Sequence, residues 1–382
     1  MTYRGKYLNR GIGTTIVVAL VTAGAIPAWA AFSTTPDALP GFNGTVLAVA
    51  YSGNTLFVGG DFTSAVVKGK SIARSRLAAV DARTGELLSW APAADGRVKA
   101  LVVSGSAVYA AGDFASVGGQ SRDSLAKLDA VTGAVASFKH SLTGKPYALA
   151  TGSDRLYLGG AFTAVDGQNR TRLAAFSLGS GSLDSSWKPT ADDQIEAITA
   201  TDGRIYVGGK FHKVNGTSGY DRLVALDPAK ASIVTGFKPK APVITYGIAI
   251  GPDGVYAAAG GQGGKANAYS TGGTLKWTAT FDGDAQAIAY YSGTVYVGGH
   301  FDRACKTART GPQGVCLDGS DDRVKLAALA PSTGKLQAWR ADGNGIEGVL
   351  TMATTSSFGA MAAGGAFTTV NGSSVKRLAQ FS

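Results

Sequence analysis

The stretch Leu156-Tyr157-Leu158-Gly159-Gly160-Ala161-Phe162-Thr163, followed by Arg172-Leu173-Ala174-Ala175-Phe176, decides the fold. Its first half is a short apolar run that ends in paired glycines, and its second half is another apolar run opened by an arginine. The unit recurs along the chain. Its marker, an aromatic, two small residues and glycine, stands again at Phe57-Val58-Gly59-Gly60, Tyr109-Ala110-Ala111-Gly112, Tyr206-Val207-Gly208-Gly209 and Tyr296-Val297-Gly298-Gly299. Degenerate copies lie near Tyr256 and at Ala362-Ala363-Gly364-Gly365, which makes seven units in all.

A mean spacing of about 50 residues is the size of a four-stranded propeller blade. Within a unit, four short apolar or alternating runs are separated by turn residues, as in Val98 to Val103, Ala107 to Gly112, Ser124 to Asp129 and Ala134 to Phe138. The first run places a small residue at one position: Ala48, Ala100, Ala148, Ala197, Gly247, Ala287 and Gly348. Inner strands crowded around a common axis require this. With 54 glycines and few charges, the chain is a turn-rich all-β protein and not a helical one. The reading is a seven-bladed β-propeller of four-stranded antiparallel blades.

The fourth run closes each unit with an aromatic: Trp90, Phe138, Trp187, Phe237, Trp277 and Trp339. The seventh is missing, because Ser382 follows directly on the third run of the last unit, Arg377 to Phe381. An orphan segment, Leu39-Pro40-Gly41-Phe42, is expected to complete that blade, with Phe42 as the seventh aromatic, so that the sheet has no open edge. Ahead of it, Arg4, Lys6 and Arg10 precede an apolar run from Ile12 to Ile26 and the small-residue site Ala28-Trp29-Ala30. Residues 1–30 therefore read as a secretory signal peptide, and 31–382 as a single propeller domain of a secreted, extracellular or cell-wall-associated protein. Without Arg4, Lys6 and Arg10, the 36 basic residues keep a formal excess of seven over the 26 acidic ones, and no run concentrates it. That pattern gives solubility and weak attraction to anionic polymers, not specific nucleic-acid recognition.

Units such as Leu156-Tyr-Leu-Gly-Gly-Ala-Phe-Thr followed by Arg172-Leu-Ala-Ala-Phe resemble the delta-60 repeat family of bacterial secreted proteins and the propeller repeats of fungal cortical polarity-marker proteins. The resemblance spans nearly the whole mature chain. It implies a propeller and brings no catalytic motif. Leu77 to Trp90 and Leu326 to Trp339 are also similar to the tryptophan docking repeat of quinoprotein dehydrogenases. That similarity concerns blade packing: the vicinal cysteine pair of those enzymes is absent, so no quinone or other cofactor is expected. Blade five departs from the pattern, with Gly263 in place of the usual Phe and Ala266-Asn267-Ala268-Tyr269 in place of Arg-Leu-Ala.

Positions that repeat belong to the scaffold, and polar positions that vary are free for recognition. The residue just before the small first-run position is Leu47, Lys99, Tyr147, Glu196, Tyr246, Gln286 and Glu347 in turn, a mixed polar and aromatic ring near the channel mouth. Such residues hydrogen-bond and stack against a sugar or peptide, or simply line a hydrated channel. Antiparallel order puts the second-to-third and fourth-to-first connections on one face, the face with the longer loops. There, a blade-six insertion from Asp302 to about Asp322 carries Cys305 and Cys316, which pair as a disulfide in an exported chain. It also carries Arg303, Lys306 and Arg309, with His300 at its base.

Other motifs read as structure. His140, His212 and His300 lie in different units, without metal-ligand spacing. Asp282-Gly283-Asp284 and Asp318-Gly319-Ser320-Asp321-Asp322 read as turn chemistry and not as calcium loops. Asn43-Gly, Asn215-Gly and Asn371-Gly read as turns. Arg76, Arg172, Arg222 and Arg377 recur in register, as a structural ion pair or backbone hydrogen bond does.

The function expected from all this is a noncatalytic extracellular binding or scaffold module for a cell-envelope polysaccharide or protein partner, monomeric and without a transmembrane segment once the signal is removed. The alternative is an envelope glycoside hydrolase or polysaccharide lyase with Glu196 and Glu347 as acid and base, assisted by Tyr147 or Tyr246. A third reading is electrostatic attachment to anionic wall polymers.

Overall fold

Paired glycines are where successive units meet. A Cβ on Gly59 would stand 2.7 Å from Val98, one on Gly159 2.6 Å from Ile195, one on Gly208 2.6 Å from Thr245 and one on Gly298 2.5 Å from Val349. Each of these partners stands at the entry of the first strand of the following unit, immediately before its bulge. Where the glycine is lost, the partner changes with it: Ala111 is followed by Pro146, and Ala258 by Ala285. The same contact joins the last unit to the first, since a Cβ on Gly364 would stand 2.5 Å from Val46.

The computed structural model describes residues 32–382, which form an all-β, propeller-like fold of small antiparallel sheets. The expected signal peptide lies outside the described residues. Seven sheets share one order of three strands. They are Val46–Ser52, Thr55–Gly60 and Leu77–Asp81; Val98–Ser104, Ala107–Gly112 and Leu125–Asp129; Pro146–Gly152, Arg155–Gly160 and Leu173–Ser177; and Ile195–Ala200, Ile205–Gly209 and Leu223–Leu226. After them come Ile244–Gly251, Gly254–Gly260 and Gly264–Tyr269; Ala285–Tyr291, Thr294–Gly299 and Leu326–Leu329; and Val349–Thr355, Ala360–Gly365 and Leu378–Phe381. First strands lie against one another in chain order, the seventh against the first. The core lies between sheets: one buried cluster joins Phe57, Leu77 and Trp90 of unit 1 to Val98, Val108 and Leu128 of unit 2.

The fourth run differs from expectation. Only unit 5 has it as a full strand, Leu275–Phe281. In five other units it touches the third strand through one bridge, such as Val80 with Leu87 or Phe176 with Leu183. In those five units the run then leaves the sheet; with or without a full strand, the closing aromatic docks on the next unit. Trp90 Nε1 donates to Asp129 O at 2.9 Å, Trp187 Nε1 to Asp227 O at 3.2 Å and Trp277 Nε1 to Pro331 O at 2.7 Å.

The second-to-third connections are more ordered than the sequence suggests. In six units they fold into a two-stranded ribbon, as at Ser64–Val67 with Lys70–Ala73. Asn215 and Asn371 take positive φ beside a glycine in the tight turns of two of these ribbons, as expected. Asn43 is no turn residue: its Oδ1 accepts the amides of Thr63 and Ser64, pinning the ribbon as Asp95 does in unit 2. Three of the recurring arginines bond backbone, with Arg76 Nη1 donating to Ala94 O, Arg172 Nη1 to Phe162 O and Arg377 Nη1 to Ala366 O, whereas Arg222 Nη2 meets His212 Nε2.

At the seam between the last unit and the first, the N-terminal segment docks as expected, but in another register. Ser33 N–H donates to Ser382 O at 3.1 Å, Asp37 N–H to Gln380 O at 2.7 Å and Phe42 N–H to Lys376 O at 2.9 Å. Phe42 is buried, but it pairs with Ala65 of the ribbon, as Ala94 does with Val117 and Leu142 with Val165. It therefore occupies a position four residues beyond that of the closing aromatic. The ring's own place is held by Ala38 and Leu39, and this joint has no closing aromatic. The second-strand aromatic is also missing, as Ala362, and Gln380 fills the space beside it. Gln380 is buried and fully engaged, donating to Asp37 Oδ2 at 2.8 Å and Ala82 O at 2.6 Å while accepting from Tyr51 Oη at 2.8 Å.

The glycine contact makes a testable pair. Gly159→Ala should destabilise the protein by about 1–3 kcal/mol through overpacking against Ile195. Adding Ile195→Ala should cost less than the sum of the two single changes, read from chaotrope unfolding midpoints.

Candidate functional site

Every first strand carries a bulge at its entry, and the bulge makes the candidate site. Register slips by one residue between Val46 and Ala48, Val98 and Ala100, Pro146 and Ala148, Ile195 and Ala197, Thr245 and Gly247, Ala285 and Ala287, and Val349 and Thr351. The extra residue is left out of the ladder, so its side chain is released from the sheet. In the first six units it is Leu47, Lys99, Tyr147, Glu196, Tyr246 and Gln286, each half-buried.

The seventh ring position is Leu350 and not Glu347. Three residues separate the ribbon pin from the first strand in most units, as from Asp95 to Val98, but five do so here, from Asn344 to Val349. Glu347 therefore lies in the entry loop, exposed, and the small-residue position is Thr351 and not Gly348. The ring is polarised as a result: five polar or aromatic side chains on units 2–6 face two leucines on units 7 and 1.

The polar arc comes with its charges already paired. Lys99 Nζ stands 2.9 Å from Asp113 Oδ2 and 4.5 Å from the centre of the Tyr147 ring. Lys145 approaches the same carboxylate at 3.6 Å. Glu196 accepts from Gln194 Nε2 at 2.6 Å and pairs with Lys210 at 3.4 Å. Burial raises the Tyr147 phenol above its ordinary pKa, and the charges of Glu196 and Asp113 add to the effect. Burial likewise raises Tyr246, with Asp284 and Glu196 adding to it. Both phenols thus stay neutral hydrogen-bonding groups at neutral pH. Sequence reading missed Asp113 and Lys210, yet their signal was present, because each immediately follows the last residue of the Gly-Gly marker.

The disulfide forms between Cys305 and Cys316. Its loop is further tied by Arg309 Nη1 to Asp318 Oδ1 at 2.8 Å and Thr307 Oγ1 to Asp318 Oδ2 at 2.6 Å. Unit 5 lacks a ribbon, and the loop reaches back over its short connection: a Cβ on Gly263 would lie 2.6 Å from the Gly314 backbone. Beneath this overhang is a cavity of about 330 Å³, lined by Gln262, Asp284, His300, Pro312 and Gln313 among others. Asp284 stands two residues ahead of Gln286, which makes the cavity continuous with the polar arc in sequence and strand order. His300 thus lies at the site, whereas Arg303 is exposed on the ribbon and paired with Asp322 at 3.3 Å. Among the described residues, no three or more His, Cys, Asp or Glu side chains gather as a metal site, and no helix is long and apolar enough to cross a membrane.

Comparison with known proteins agrees with this geometry. The family model described as outer membrane protein assembly factor BamB matches residues 17–236. A chain in the crystal structure of the mitotic checkpoint complex superposes with a TM-score of 0.58 at 11% identity, covering 98% of each chain. The WD40 β-propeller domain of Doa1 gives 0.60 at 9% identity, covering 92% of this chain and 95% of that one. At such identities the likeness concerns fold alone. No curated protein matches the sequence.

Glu196→Gln removes a negative charge beside both phenols. It should lower the pKa values of Tyr147 and Tyr246 together without restoring ordinary ones, because burial remains, as read by ultraviolet phenolate titration. A phenol with a raised folded pKa contributes stability below the ordinary tyrosine pKa and loses it as pH climbs through the folded value. The variant should therefore lose that contribution at a lower alkaline pH than the native protein.

Proposed function

The chain belongs to the family described as outer membrane protein assembly factor BamB, and from this we propose that it is an extracytoplasmic, noncatalytic module that binds a protein partner of the cell envelope. Residues 1–30 act as its export signal, and 31–382 form one seven-bladed propeller, monomeric, whose last blade is completed by the N-terminal segment. Its repeats fall with those of the delta-60 secreted proteins. The partner contributes an extended polypeptide segment that lies across the mouth on units 2–6, between Lys99 and the cavity under the disulfide loop.

The polarised ring is the observation that carries this reading. Five half-buried side chains offer amide, phenol, ammonium and carboxylate groups in sequence, and their charged members are already paired within the protein. Paired charges hold their geometry and select a polar backbone more readily than they take up a single strong counter-charge. For the alternative of a glycan-cleaving carboxylate pair, Glu196 and Glu347 no longer share a ring position, and the register gives that chemistry no support.

A photo-crosslinking residue at Gln286 should capture the envelope partner, and the same residue at Ser106, in the first-to-second turn of unit 2 on the opposite face, should not. Tyr246→Ala should weaken the captured complex about tenfold, the usual order for a partly buried aromatic contact. Equal capture from both faces would overturn the assignment, as would glycan cleavage that depends on Glu196.

A further inference from the structure

The seam differs from the other joints on the face away from the mouth. At most other joints the turn after the third strand packs against the preceding unit's closing segment, and in several the contact is with its ring; at the joint closed by Trp339 the N-terminal segment takes that place. A Cβ on Gly133 would lie 3.4 Å from the Trp90 ring, one on Gly181 3.2 Å from Phe138 and one on Gly334 2.5 Å from Trp277. The corresponding glycine of the first unit, Gly85, faces the Ala38 backbone instead, and a cavity of about 430 Å³ opens beside it. Its walls include Asp37, Leu39, Arg83, Thr84 and Phe358. Phe358 comes from the first-to-second turn of the last unit, stands edge-on to Tyr51 at 6.2 Å and has the Arg83 guanidinium 5.6 Å from its ring centre.

We propose that this cavity receives a tryptophan side chain from a partner protein, in the manner that the other joints receive a ring from their own chain. The chain itself supplies the precedent. Trp90, Trp187, Trp277 and Trp339 each close a joint between units and each donate Nε1–H to a backbone carbonyl across it. At the seam Phe358 supplies a flat apolar wall with the Arg83 guanidinium over its ring at 5.6 Å, and an aromatic wall with an adjoining cation suits an indole. The Asp37 carboxylate, held by Gln380 and Ser382, is an acceptor at the same wall for the indole N–H. A phenyl or aliphatic side chain has no donor for it and leaves that hydrogen bond unmade.

The test uses the mature chain and N-acetyl-L-tryptophan amide, with the phenylalanine and leucine amides as comparisons, followed by saturation-transfer NMR. Transfer to the indole should exceed that to the other two amides. Ala38→Trp, which places an indole in the socket from within, should abolish it, and Phe358→Ala, in a surface turn, should weaken binding about fivefold. Tyr246→Ala, on the mouth, should leave it unchanged, which separates this site from the one proposed above. The idea is overturned if leucine amide binds as well as tryptophan amide. It is equally overturned if a folded Ala38→Trp protein binds the probe within twofold of the native one. Should Ala38→Trp not fold, native affinity in Phe358→Ala is the overturning result.

Discussion

Neighbouring units approach to the distance at which a methyl group no longer fits, and the rest of the structure follows from that constraint. The first glycine of each pair accepts a side chain from the following unit, which sets how closely adjacent sheets pack. The second glycine answers a constraint inside the unit. Because the first strand bulges at its entry, the carbonyl before the bulge is pushed onto it: a Cβ on Gly60 would stand 2.1 Å from Thr45 O, and one on Gly160 2.2 Å from Lys145 O. No residue with a Cβ fits there without moving the strand. The bulged residue meanwhile has no ladder partner and no packing duty. Two steric requirements met by one glycine pair, between units and within them, thus set the contact of neighbouring sheets and the positions free to bind.

This coupling explains what was legible in the sequence and what was not. The glycine pairs gave away the units, and the residue before each small position could be named for six of seven bulges because strand entry keeps a constant length from the pin. Glu347 failed because the last entry loop is two residues longer. Counting back from a small residue chose Gly348, which is a loop glycine with φ of 63° and not a strand position. Phe42 misled for a related reason. An aromatic in an orphan segment satisfies the pattern of the closing position, but hydrogen bonding to the ribbon fixes its register, and that pairing leaves no trace in composition.

The ribbons and the single-bridge fourth runs were illegible for a different reason. Two-residue strands such as Ala164–Val165 with Gln168–Asn169 are too short to alternate visibly. The fourth run reads as a strand because its apolar residues alternate, yet its aromatic is committed to the next unit's turn. Tertiary docking overrides the local pattern here. The overhang above unit 5 was likewise hidden: the deficit in one unit, Gly263 without a ribbon, is filled by the disulfide loop of the next.

The seam is held by a different kind of interaction from the other joints. Elsewhere a pair of aromatics closes the joint, as Tyr157 and Trp187 do edge-on at 4.9 Å. At the seam both are replaced, and Tyr51, buried Gln380 and Asp37 form a part-buried hydrogen-bonded chain instead. The two solutions are comparable in energy: an aromatic pair adds about 0.5–1.5 kcal/mol beyond its burial, and a hydrogen bond contributes about 1 kcal/mol net. They differ in directionality. Within a unit, covalent connection already sets how the strands align, so a broad apolar contact suffices. The N-terminal segment meets Leu378–Phe381 with no loop to set its register, and a slip of one residue would take the Asp37 carboxylate away from Gln380 Nε2, losing one of the three hydrogen bonds of a buried amide at a cost of about 1–3 kcal/mol. The polar chain therefore does for the seam what a short loop does for every other strand pair. Because it takes less space than two rings, the joint it secures retains a cavity.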